Sequence, residues 1–187
     1  MVTRMNNFYS YTDREIRYLN KQINRVFRKT MKIDELNVIR TSKEMYEELR
    51  GIATEAYLRI ARRKWPKATK KWLALILAGY DPVTGYVFNH ELERKRARFA
   101  EGTIAGTEDG AARRLLAVML AQYAIEVTDE AMKEQYREDG VKRVRWISKE
   151  DSKRCKTCKE RHGKVYDIDN VPPKPHLHCR CLLEPVE

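Results

Sequence analysis

Cys155-Lys156-Thr157-Cys158 forms a C-x2-C pair, and eighteen positions after Cys158 comes His176-Leu177-His178-Cys179-Arg180-Cys181. A C-x2-C knuckle turns two thiolates toward one point, and a second donor pair from a distant segment can close a tetrahedron around zinc at Zn–S distances near ~2.3 Å. The second pair must come from His176, His178, Cys179 and Cys181. On an extended strand Cys179 and Cys181 share a face, because side chains alternate with period two. His176 and Cys179, three apart after a proline, can converge equally well. The expected ligands are Cys155, Cys158, His176 and Cys179, with Cys181 as the strongest substitute. A catalytic zinc keeps a position open, whereas so many donors crowded together point to a closed structural Zn2+ site.

Two other readings compete for these residues. All four cysteines fall between positions 155 and 181, which is not how a disulfide framework is spread through a secreted domain. Reduced cysteines without a metal would simply be small buried apolar side chains. His162, in a charged turn, reads as a surface histidine. His90 precedes a polar stretch and has no evident partner. Trp146 reads as a packing residue rather than a base-stacking platform. The chain has no H-E-x-x-H, no phosphate-binding P-loop and no G-x-S-x-G elbow, so it is not expected to be an enzyme.

The elements that would position these donors divide the chain in two. Residues 1–140 read as a helical body. Thr12 and Glu15 have capping-box spacing, and Ile16, Leu19, Ile23, Val26 and Phe27 recur on one helical face. A second helix is expected from about Thr41-Ser42, with Glu44 in another box and a stripe of Met45, Leu49, Ile52, Ala53, Ala56, Tyr57 and Ile60. Pro66 limits its end. Trp72 to Leu77 predict a short third helix closed near Gly79. A turn at 81–85 and a polar helix over about 89–101 follow. A long apolar helix then runs from about Ala111 through Leu120, Ala124 and Val127, stopping at Gly140.

Residues 141–187 change texture and predict a small α+β module. Val144–Ile147, Val165–Ile168 and Cys179–Leu183 have strand character. Ser148 with Asp151 suits a capped helical turn, and the prolines at 172, 173 and 175 enforce extended chain. A unit of this size buries too little apolar surface to stand without a staple. The fold class is therefore mainly α, a helical body followed by a zinc-binding α+β module.

The 187 residues are 42% hydrophobic and 35% charged, enough for a core and against disorder. The longest apolar run, Trp72 to Ala78, is too short to cross a bilayer, so no membrane partner is expected. The N-terminal MVTRMNNFYSYTD lacks a signal-peptide core, which predicts a protein kept in a cytoplasm. The formal net charge is +11, and residues 141–187 carry twelve basic against seven acidic side chains. Such an excess favours polyanions, nucleic acid above all, although many of these charges also suit solvated helix faces.

Val141-Lys142-Arg143-Val144-Arg145-Trp146-Ile147, Asp151, Cys155-x2-Cys158, Gly163-Lys164-Val165-Tyr166, Pro172-Pro173-Lys174-Pro175-His176 and Cys179-Arg180-Cys181 together resemble the C-terminal domain of phage minor head proteins related to the F protein of bacteriophage Mu. That family usually ends the domain in a His-Pro-Asn-Cys-Arg-Cys-like sequence. Leu177 and His178 replace the Pro and Asn here, adding a potential ligand. The resemblance is looser over 81–140, where Tyr86-Val87 and Glu91-x2-Arg94-Lys95-x2-Arg98 are similar. It implies head morphogenesis, with the portal protein as partner and the major capsid or scaffolding protein as further candidates. It also implies a role in DNA packaging or delivery, with non-specific contact to DNA through charge. The protein would sit in the host cytoplasm during assembly and then in the virion. The alternatives are a zinc-ribbon DNA-binding regulator and a metal-dependent nuclease using His176 or His178. The first lacks a recognition element reaching base edges, and the second lacks an acidic pair for a two-metal centre.

Overall fold

Heptad-like apolar stripes in the first 140 residues become long helices packed side by side. The computed structural model describes residues 9–30, 38–79, 106–152, 154–176, 179 and 181–186. Helix α1 spans Ser10–Thr30, α2 Val38–Lys64, α3 Lys70–Gly79 and α4 Gly106–Glu138. Helices α1, α2 and α4 pack together through α1–α2, α1–α4 and α2–α4 interfaces, with α3 resting on α2 and α4. Leu19, Ile23 and Val26 of α1 meet Leu49, Ala53, Ala56, Tyr57 and Ile60 of α2 and Leu120, Ala124, Val127 and Ala131 of α4 in one core. The alanines among them bring backbones close, and the Tyr57 hydroxyl donates to the Leu120 carbonyl at 2.9 Å. The turn at 81–85, the polar helix at 89–101, His90 and His178 lie outside the described residues.

Several element boundaries depart from the sequence reading. The Thr12–Glu15 capping box does not form. Helix α1 begins earlier, with Asp13 N–H already donating to the Tyr9 carbonyl at 2.7 Å, so Thr12 and Glu15 sit inside the helix on its packed face. Thr12 instead shares a hydroxyl–hydroxyl bond of 2.8 Å with Thr128 of α4, and Glu15 receives Arg59 of α2 at 2.6 Å. Helix α2 starts at Val38 rather than near Thr41, and α4 at Gly106 rather than near Ala111. Gly140 stops α4 as expected. Its φ of 79°, with Gly140 N–H to Arg137 O and Val141 N–H to Tyr136 O, is a Schellman closure that favours glycine.

The C-terminal part is a three-stranded antiparallel sheet, β1 Arg143–Ile147, β2 Val165–Asp167 and β3 Leu182–Val186, in the order β2-β1-β3. Helix α5, Lys156–Arg161, lies between β1 and β2, and a 3-10 turn at Ile168–Asn170 follows β2. Central β1 pairs Val144 with Tyr166 on one side and with Pro185 on the other. Val144 and Trp146 point inward while Arg143 and Arg145 face solvent, the alternation expected of a half-covered sheet. Two expectations shift here. Ser148–Asp151 forms no helical turn, because Ser148 is buried and bonded to His162, and the helix comes later. The third strand also begins at Leu182, not Cys179, which leaves Cys179 and Cys181 on the approach to the ladder. Among the described residues no helix is long and apolar enough to cross a membrane.

Candidate metal centre

Cys155 is the N-cap of α5, with extended backbone, and its Sγ accepts from the Cys158 N–H at 3.3 Å. The first turn of α5 therefore puts both sulfurs of the C-x2-C pair on one side. The chain then returns along the proline segment. It brings His176 Nε2 to 3.4 Å from Cys158 Sγ and Cys179 Sγ to 3.6 Å from the same sulfur. Two donor triads result, Cys155–Cys158–His176 and Cys158–Cys179–Cys181, each with its ligand atoms within 4.8 Å of one another. They meet at Cys158. All four cysteines are free thiols, and the 3.6 Å separation is far beyond a disulfide bond of about 2.05 Å.

The five residues nominated from the sequence, Cys155, Cys158, His176, Cys179 and Cys181, are thus gathered into one cluster that could hold a metal ion. Cys158, Cys179 and Cys181 are buried with Trp146, and Cys155, Tyr166, Val171 and Leu183 pack around them. Trp146 does pack: its ring meets Tyr166 edge-on at 6.4 Å, and the Arg161 guanidinium lies 5.1 Å from its centroid. Arg161 also donates to the Pro173 carbonyl at 2.7 Å, tying α5 to the ligand-bearing loop.

The electrostatics of the thiols show how they share protons. Hydrogen bonding from Cys181, the largest influence, drops the Cys179 thiol to about 5 against the desolvation that opposes it. The same bond, seen from Cys181 as donor, raises its pKa, with burial adding to the effect. Burial pushes Cys158 up to about 12. The Cys158 backbone N–H lowers Cys155. Thiols bind a metal as thiolates, so an ion held here would release the protons they carry.

The family model described as Phage Mu protein F like protein matches residues 90–184, just over half of the chain and nearly all of the sheet and its cysteines. The chain belongs to the Phage Mu protein F like family. Membership marks this Mu F-like chain as a bacteriophage head-morphogenesis protein and virion component. No curated protein and no solved structure gives a match.

In this Mu F-like protein two further polar features surround the cluster that the sequence did not signal. His162 is no loose surface histidine. Its Nδ1 accepts from the Ser148 backbone N–H at 3.1 Å and lies 3.1 Å from the Ser148 hydroxyl. That leaves Nε2 to carry the proton toward Glu150, 3.7 Å away, so the ring pins the end of β1 to the end of α5. Lys174, between two prolines, is directed inward, where Asp129 of α4 meets it at 2.6 Å. No spacing rule links position 174 to position 129, and only the packing of loop on helix reveals the pair.

Proposed function

We propose that this chain is a minor head protein. Its helical part docks on the portal during head assembly, and its C-terminal module is held closed by one structural Zn2+. The observation that carries this reading is the coincidence of the family match with the donor cluster: residues 90–184 include all five described donors. Tetrahedral zinc with bonds of about 2.3 Å to sulfur and about 2.05 Å to nitrogen would place S–S edges near ~3.8 Å and S–N edges near ~3.5 Å. The Cys158–Cys179 and Cys158–His176 separations of 3.6 and 3.4 Å fit those edges. Trp146 Nε1 is buried without a hydrogen-bond partner among the described residues. A thiolate at Cys181, which that N–H would stabilise, gives it an acceptor. Four ligands are drawn from the five, with Cys158 common to every set that both triads allow.

Zinc supplies cross-linking here, not chemistry, and no catalytic role is proposed. For docking, the supporting feature is an apolar groove of about 340 Å³ between α3, α4 and the module. Leu75, Ile76, Val171, Pro172 and Leu183 line it, and Leu75 is 65% exposed. Exposed apolar surface of this kind marks protein contacts. Lys142, Arg143, Arg145 and Lys149 are exposed and make no ion pair among the described residues, so they are available to DNA phosphates through charge alone. Tagged protein should copurify with procapsids, and Leu75→Glu should reduce that recovery at least several-fold while the far-UV spectrum stays native. Normal heads assembled without the protein, together with no procapsid association, would sink the reading.

A further inference from the structure

Lys174 lies between Pro173 and Pro175, whose rings fix φ on both sides and restrict the lysine backbone to extended forms. Its ammonium is not on the surface: the side chain is 10% exposed and faces Asp129, itself 11% exposed. Nζ has three oxygen partners, Asp129 Oδ2 at 2.6 Å, the Tyr9 hydroxyl at 2.9 Å and the Cys179 carbonyl at 3.2 Å. The Tyr9 hydroxyl in turn donates to Asp129 Oδ1 at 2.6 Å and lies 3.1 Å from the Cys181 carbonyl. The backbone carbonyls of two of the three cysteines in the second triad, Cys179 and Cys181, are therefore addressed by one buried ion-pair network. Two of its three members, Tyr9 and Asp129, belong to the helical part.

We propose that Tyr9, Asp129 and Lys174 are positioning residues that hold the Cys179-x-Cys181 donor segment from outside the ligand set, so that metal binding and seating of the α1 N-terminus are coupled. The inference rests on the metal reading above. Groups that orient ligands without touching the ion commonly govern affinity about ten- to a hundred-fold. Coupling of two binding equilibria is also reciprocal, so a clamp that tightens the site must itself be tightened by the ion.

The test uses the full chain with zinc, or with Co2+ as a spectroscopic stand-in. Competition with a chelator should show Asp129→Asn and Lys174→Met holding zinc about tenfold more weakly than the parent, with altered cobalt d–d bands. Val26→Ala is a core control seventeen residues along α1 from Tyr9, about 25 Å at 1.5 Å per residue; it should leave both readouts unchanged. Hydrogen exchange on the unaltered chain avoids any folding defect. Adding zinc should slow the amides of residues 10–14 at the start of α1 as well as those of the module. A parent that binds zinc while both clamp variants match it within twofold and the α1 amides are indifferent to zinc overturns the clamp alone. An equal loss in Val26→Ala overturns it too. A parent that takes up no metal overturns the metal reading and the clamp with it.

Discussion

The helical part and the C-terminal module solve the same problem, burying enough surface to hold a shape, with different chemistry. In α1, α2 and α4 the interior is aliphatic and alanine-rich. Ala56, Ala61, Ala124, Val127 and Ala131 show essentially no exposure, and the polar groups drawn in, such as Thr12 with Thr128 and Glu15 with Arg59, find partners. In the module the buried cluster is one tryptophan and three thiols, with small aliphatic contributions from Val144, Ile147, Ile168 and Leu182. At about 25 cal/mol per Å² the first interior sustains itself. The second is too small to do so and is organised around donors. Where apolar area runs short, ligand atoms take over the work of a core.

The comparison breaks most sharply at Cys158, the residue common to both triads. Cys158→Ser should abolish tight metal binding and unfold the module while α1, α2 and α4 stay helical. NMR should lose the dispersed amide signals of β1 to β3, and far-UV circular dichroism should keep most of its helical signal. Structural zinc is worth on the order of 10–16 kcal/mol in small metal modules, more than the sheet could recover by packing. The opposite perturbation lies in the other core. Ile60 is 1% exposed, and Ile60→Ala should destabilise the helical part by about 2–5 kcal/mol without changing zinc stoichiometry, measured by denaturation alongside metal analysis. A variant that lost both would show that the two regions form one cooperative unit.

Much of this contrast was legible in the sequence, and the exceptions have physical causes. Helical stripes such as Leu19–Ile23–Val26 announce themselves by period, and clustered cysteines announce a shared site by spacing. The Thr12–Glu15 box misled because the same residue types that cap a helix can also satisfy one another across a helix interface. Burial, which sequence does not display, decided between the two uses. The short helix at Lys156–Arg161 was missed because its N-cap is a cysteine, Cys155, whose sulfur accepts the amide that Ser, Thr, Asn or Asp usually takes. Strand β3 starts three residues later than its apolar run suggests because Cys179 and Cys181 are turned into the cluster before the ladder begins.

Smaller effects sharpen the picture at the seam. Metal uptake must displace the proton held on Cys158, and in any ligand set with Cys181 that one too, since both pKa values are raised. Affinity should therefore fall as the pH falls, by about tenfold per pH unit for each proton released. Titration in buffers of different ionisation enthalpy counts those protons, and a count that drops by one in Cys181→Ser places Cys181 among the ligands. At the alkaline end, Tyr136 donates to the Leu183 carbonyl of β3 at 3.3 Å, and burial pushes it up to about 12 from an ordinary 10. Its contribution is complete below pH 10 and fades as the pH climbs through 12. Buried Tyr9 and Tyr57, both raised by desolvation first, act in the same direction. Tyr136→Phe should cost about 1 kcal/mol at pH 7 and flatten part of the alkaline loss.

The measurement that tests the central claim most directly is metal content by elemental analysis on the purified full chain, paired with thermal melts before and after chelation. The account predicts one tightly held zinc per chain and selective loss of the module's structure on its removal, with the helical part still folded. A chain that carries no zinc and melts identically with and without chelator would contradict it.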